Sequence, residues 1–181
     1  GDSLLCQAIG VSLQAGGKGS AENFLSKIRE ICDTEAEHES LRGSYSLDED
    51  ACLRLARGKT GPLFGFLGQF CGGGDGDLRD ALERAGYSVG AAYQLVDDLA
   101  DQRDSGKTPG TDRARGKTTL VQLSNGPMRT RRAVKRLCRE ALSDLSVWPG
   151  ARAGLRSFLV EDLGPVASSL VDGLEVSVGI A

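Results

Sequence analysis

Histidine is almost missing from this chain: among 181 residues only His38 carries an imidazole. Within these residues a two-histidine zinc site and a multi-histidine iron centre are therefore excluded. A basic surplus is missing too. Lys and Arg number 22 against 25 Asp and Glu, a formal charge of −3, whereas proteins whose main partner is a nucleic-acid backbone carry a strong positive excess. No nucleic-acid partner is expected. No apolar run approaches the ~20 residues of a membrane span, so no transmembrane segment is expected, and no basic stretch precedes an apolar one as in a signal peptide. The five cysteines (Cys6, Cys32, Cys52, Cys71 and Cys138) contain no CxxC pair, which removes zinc-ribbon and thioredoxin-type motifs. Their odd number and their apolar or small neighbours predict reduced, buried thiols in a cytoplasmic protein.

What is present is helical periodicity from end to end. Leu4, Leu5, Ala8, Ile9, Val11 and Leu13 mark a first helix that stops at Gly16-Gly17. Ser20 is placed to cap a second, which carries Phe24, Leu25, Ile28 and Ile31. Ser46 and Glu49 form a capping box for a third, running to about Cys71, with Gly61-Pro62 predicting a kink inside it. After the glycine-rich loop from Cys71 to Asp77, a long helix capped by Asp75 or Asp77 presents Leu78, Leu82, Ala85, Val89, Ala92 and Val96. Two further helices, near 128–147 and 151–176, flank Pro149-Gly150. No segment alternates as a strand does, and no repeat of solenoid period appears. The expected fold is all-α, a helical bundle of one domain over residues 1–181. Glycine is about twice its usual ~7% share, mostly in loops. Gly86 and Gly90 instead sit one turn apart inside a helix, where they would let another backbone approach closely.

The chemistry concentrates in Tyr93-Gln94-Leu95-Val96-Asp97-Asp98-Leu99-Ala100-Asp101. On a helix Asp97 and Asp101 stand one turn apart, with Asp98 three residues from Asp101. Carboxylates this close repel one another, and late in a helix the dipole does not favour them. Mg2+, which takes hard oxygen ligands and keeps several waters, would resolve the repulsion. Alone, so short a motif is more often a solvated acidic edge. Here a glycine-rich loop with Lys107 and Lys117 comes directly after it, joining lysines and approachable backbone N–H groups for phosphate to acidic groups for a metal. Upstream, Lys59 lies among Leu55, Ala56, Leu63 and Phe64, so it either snorkels to solvent or faces a cavity that holds an anion. Glu35-Ala36-Glu37-His38 has the form of half a di-iron motif. Without a second histidine it reads as a solvated helix face.

With these segments in order, the sequence resembles the trans-isoprenyl diphosphate synthases, or polyprenyl synthetases. Gly1-Asp2-Ser3-Leu4-Leu5 is similar to the family's GDxLL, Lys59-Thr60-Gly61-Pro62-Leu63-Phe64 to its KTxxLF, and Tyr93 to Asp101 to its second DDxxD motif. Gly106-Lys107-Thr108 and Gly116-Lys117-Thr118-Thr119-Leu120 are similar to the lysine loop behind that motif. The resemblance implies a prenyltransferase of isoprenoid biosynthesis with the isoprenoid-synthase fold. Such enzymes use Mg2+ to ionise an allylic diphosphate, which isopentenyl diphosphate then attacks. Carried over by position, Asp97 and Asp101 would bind metal with Asp98 in support. Lys59, Lys107 and Lys117 would hold diphosphate, and Thr60 and Gln94 would stabilise the cation.

The resemblance also implies a homodimer and a first aspartate-rich motif ahead of GDxLL. Because the chain starts at Gly1, it is expected to be the C-terminal portion of a synthetase domain lacking its N-terminal helices, and inactive alone. Two departures stand out. Val121 replaces a usual proline, and Thr34 to Glu39 occupies the place of a Gly-Gln-x-x-Glu segment. A terpene cyclase of the same fold and a non-catalytic partner subunit are the alternatives; the lysines and aspartates speak against the latter.

Overall fold

The computed structural model describes residues 2–43, 47–104 and 118–164. Among them lie five α-helices and no strand: α1 Asp2–Ser40, α2 Glu49–Cys71, α3 Gly76–Asp104, α4 Gly126–Asp144 and α5 Pro149–Ser157. A 3-10 turn, Leu120–Gln122, precedes α4, and a π turn, Phe158–Leu163, continues α5. The all-α expectation holds.

The two helices expected before residue 40 form one continuous element broken at Gly17, whose φ of 68° and ψ of −166° leave the helical region. That conformation is essentially open only to glycine, so the Gly16-Gly17 signal marks the expected boundary between two helices that meet at a kink within α1. Ser20 does not cap the second half of α1; its hydroxyl is buried without a hydrogen-bond partner. At the head of α2 the cap is Asp48, whose carboxylate accepts from the Ala51 N–H at 2.8 Å. The expected Ser46 cap is displaced, and Ser46 itself lies outside the described residues. Asp48 wins because it directly precedes Glu49 and Asp50, acidic residues that suit the positive end of the helix. Helix α2 runs on through Pro62. The linker behind it ends at Asp75, which accepts from the Leu78 N–H at 3.0 Å and opens α3. Helix α4 starts two residues before its expected position, after Asn125 in the left-handed region and with Pro127 in its first turn. The last predicted helix is described only to Gly164, so its expected end at 176 falls outside the described residues.

Helix α3 is the axis of the molecule. Its apolar stripe, Ala85, Val89, Ala92 and Val96, is buried as its periodicity requires, with Leu95 and Leu99 added from the adjoining row. Helix α2 packs on one side of it and α4 on the other, through Val134, Leu137 and Ala141. Helix α1 packs mainly on α2 and reaches α3 through long polar side chains. The N-terminal half of α1 keeps Leu4, Val11 and Leu13 exposed, as does the outer row of α2 with Leu67.

The approach of α2 to α3 is set by glycine. A methyl group at Gly90 would stand 2.7 Å from Gly61 Cα and 2.8 Å from the Thr60 carbonyl oxygen. One at Gly86 would run into the Phe64 carbonyl. The close contact anticipated for these two glycines is therefore real. It brings the middle of α2 against the segment of α3 that carries Gln94.

The cysteines divide. Cys52 and Cys138 are buried, but Cys6, Cys32 and Cys71 are exposed, against the expectation that all five would be interior. Their helical positions face outward, and an apolar neighbour in sequence is not a neighbour across a helix.

Candidate functional site

Thr60 and Gln94 meet across the glycine seam. Thr60 Oγ1 donates to Gln94 Oε1 at 2.8 Å, and Gln94 Nε2 donates to Asp98 Oδ1 at 3.0 Å. Three residues from two separate motifs thus form one hydrogen-bonded line. Gln94 and Asp98 stand one full turn apart on α3, the spacing that lets their side chains meet. Asp97 is exposed, while Asp101 is half-buried.

Lys59 neither snorkels freely nor stands bare. Its side chain is 10% exposed, and Nζ lies 3.0 Å from Glu35 Oε1 of α1. Lys59, Gln94 and Asp98 share a crevice of about 10 Å3 with His38, Cys52, Leu55, Ala56, Thr118 and Thr119. That is room for a single water at most. The volume shows side chains already gathered around the place where the lysine, the amide and the carboxylate converge.

His38 corrects another expectation. The Glu35–His38 stretch is solvated at Ala36 and half-exposed at Glu35 and Glu37, but His38 is 2% exposed, and its Nε2 is 3.1 Å from the Thr118 carbonyl oxygen. This bond ties α1 to the stretch that resumes after the lysine loop. Lys107 and Lys117 themselves lie outside the described residues. Cys52, beside His38 in the crevice, has its thiol pushed up to about 11, mainly by burial and further by Asp98, Asp48 and Glu49.

The donor set suits Mg2+ better than a softer ion, since Asp97, Asp98 and Asp101 offer hard carboxylate oxygens. Among the described residues no three His, Cys, Asp or Glu side chains gather closely enough to hold an ion by themselves. That is compatible with Mg2+, which is usually held by one or two carboxylates with waters and substrate phosphates supplying the rest.

Sequence reading missed a second polar assembly below this site. Lys27 of α1 binds Glu83 and, at 3.1 Å, the Tyr87 hydroxyl, both on α3. The Tyr87 hydroxyl donates to Glu30 Oε2 at 2.6 Å, and Gln69 of α2 donates to Glu83 at 3.3 Å. The Tyr87 ring lies against Gly61 and Gly65. The only signal was indirect, in charged residues one turn apart among the apolar positions of α1.

Comparison with known proteins gives the family. The profile of the polyprenyl synthetase family matches residues 1–143. A geranylgeranyl diphosphate synthase of Mycobacterium tuberculosis is 39% identical over 98 residues, 50% of this chain and 28% of that protein. A nonaprenyl diphosphate synthase of the same organism is 34% identical over 110 residues, 53% of this chain and 33% of its own length. Component 2 of a Bacillus subtilis heptaprenyl diphosphate synthase is 33% identical over 113 residues, 57% of this chain and 32% of that protein. The matched stretch thus spans about a third or less of each relative. The family profile covers most of the chain, including the segments that supply Lys59, Thr60, Gln94 and the three aspartates, and the chain belongs to the polyprenyl synthetase family.

Proposed function

We propose that this chain carries the diphosphate-handling side of a trans-prenyl diphosphate synthase, which joins an allylic diphosphate to isopentenyl diphosphate. The observation that carries the reading is the Thr60–Gln94–Asp98 line beside Lys59. Asp97 and Asp101 would hold Mg2+, with Asp98 in support. When bound, the metal supplies positive charge that stabilises the departing diphosphate. Lys59 binds a diphosphate oxygen from its position at the crevice wall, and Lys107 and Lys117 add charge from the loop. Gln94 is held at both ends, its N–H spent on Asp98 and its oxygen oriented by Thr60. Oxygen lone pairs on Thr60 and Gln94 remain to face an allylic cation without reorganising. The apolar rows of α2 and α3 keep water from that cation. A cytoplasmic homodimer would cover apolar residues such as Leu67 that are exposed here.

The test uses the product of the complete gene, Mg2+, and incorporation of labelled isopentenyl diphosphate into a longer prenyl diphosphate. Asp97→Ala and Asp101→Ala should each lower turnover by about 10²-fold or more, with Asp98→Ala milder. Near-wild-type turnover in all three variants would overturn the assignment.

A further inference from the structure

Among the described residues, Glu35 is the one ion-pair partner of Lys59, it comes from α1, and the two ends of the pair differ in environment. The Lys59 side chain is 10% exposed and that of Glu35 is 43% exposed. A nearly buried ammonium needs a counter-charge at all times. A carboxylate 43% exposed is already partly hydrated, so leaving the pair costs it less than losing the counter-charge costs the ammonium. The pair is therefore built for exchange: an anion that reaches Lys59 takes the place of Glu35, and Glu35 returns when the anion departs. Until the carboxylate withdraws, its negative charge 3.0 Å from Lys59 Nζ also repels whatever anion approaches.

We propose that Glu35 is an affinity-setting residue, an internal counter-anion that diphosphate displaces from Lys59 and that reclaims the ammonium as diphosphate leaves. This rests on the assignment of Lys59 as a diphosphate ligand. Its consequence is opposite in sign to that of a bracing contact. A residue that only positions Lys59 weakens binding when it is removed, whereas a competitor strengthens it. The strengthening falls mainly on the dissociation rate, where most affinity differences between related complexes reside.

The complete chain is titrated with inorganic pyrophosphate in Mg2+ buffer near pH 7.5 by calorimetry, and dissociation is followed by stopped flow. Glu35→Gln, nearly the same shape without the charge, should bind pyrophosphate roughly tenfold more tightly. Glu35→Asp, which keeps the charge, should stay near wild type. Lys59→Met should lose most of the affinity, and adding Glu35→Gln to it should restore none. Glu35→Ala serves as a second neutral variant, with helix content checked by circular dichroism. If Lys59→Met weakens binding but both neutral variants bind no tighter than wild type, the role of Glu35 is overturned and Lys59 keeps its assignment. If Lys59→Met binds as wild type does, the diphosphate assignment of Lys59 and the inference on Glu35 fall together.

Discussion

At the scale of single residues, burial decides chemistry that composition cannot. Cys52 and Cys138 are each 4% exposed, and burial pushes both thiols up to about 11, with Arg139 opposing it slightly at Cys138. The thiolate is the reactive form, so both should be inert while the chain is folded. Ellman's reagent at pH 8 should modify three thiols quickly, those of Cys6, Cys32 and Cys71, and the remaining two only on unfolding. Rapid reaction of Cys52 would mean that the crevice beside Asp98 opens in solution. Lys59 teaches the same lesson from the other side. Its place in an apolar stretch was plain from its neighbours, but its partner Glu35 sits on another helix and no local spacing connects them. Helical periodicity reports which face a residue occupies, not what crosses from the opposing helix.

At the scale of elements, short-range signals were legible wherever one residue alone could meet a backbone demand. Gly17 and Asp75 were both visible in that way. The head of α2 was not, because Ser46 and Asp48 compete within two residues and the choice depends on where the helix settles. Gly86 and Gly90 were legible as points of close approach, because a mid-helix glycine costs about 1 kcal/mol and invites a packing reason. That cost gives a test. A methyl group added at Gly10, in α1, would meet nothing within 4 Å, so Gly10→Ala should stabilise by about 0.5–1 kcal/mol. Gly90→Ala gains the same propensity, but its methyl meets Gly61 and the Thr60 carbonyl, backbone atoms that cannot swing aside. A net loss of about 1–3 kcal/mol is expected, with a weakened Thr60–Gln94 bond as α2 is pushed away. Urea unfolding of the two variants should show midpoints moving in opposite directions. A Gly90→Ala midpoint that rises would mean that the two helices have room to spare at this seam.

At the scale of the whole molecule, the Lys27–Glu83–Tyr87–Glu30 assembly fastens α1 to α3, with Gln69 adding α2. It therefore fixes where Glu35 and His38 of α1 stand relative to Lys59 and Asp98. Burial works against the Lys27 ammonium, but its bonds to Glu83 and Tyr87 outweigh that, and its pKa lies above the usual lysine value. The Tyr87 phenol is also raised, by burial first and then by its bond to Glu30, against the pull of Lys27. Both groups hold their protons longer in the folded chain than in the unfolded one. As pH rises past about 10, the unfolded chain gives up these protons first, so stability must fall with pH. The contribution is complete below the unfolded pKa values and disappears as pH passes through the raised folded ones. Tyr87→Phe removes the hydroxyl while leaving the ring against Gly61 and Gly65. It should cost about 1–3 kcal/mol near pH 7, because Lys27 and Glu30 each lose a partner, and it should flatten the decline in melting temperature between pH 9 and 11. A double-mutant cycle with Lys27→Met separates shared from independent contributions: coupled residues give a cycle well short of additive. Additive losses together with an unchanged alkaline slope would show that the assembly does not act as one fastening, and that α1 is held by its packing on α2.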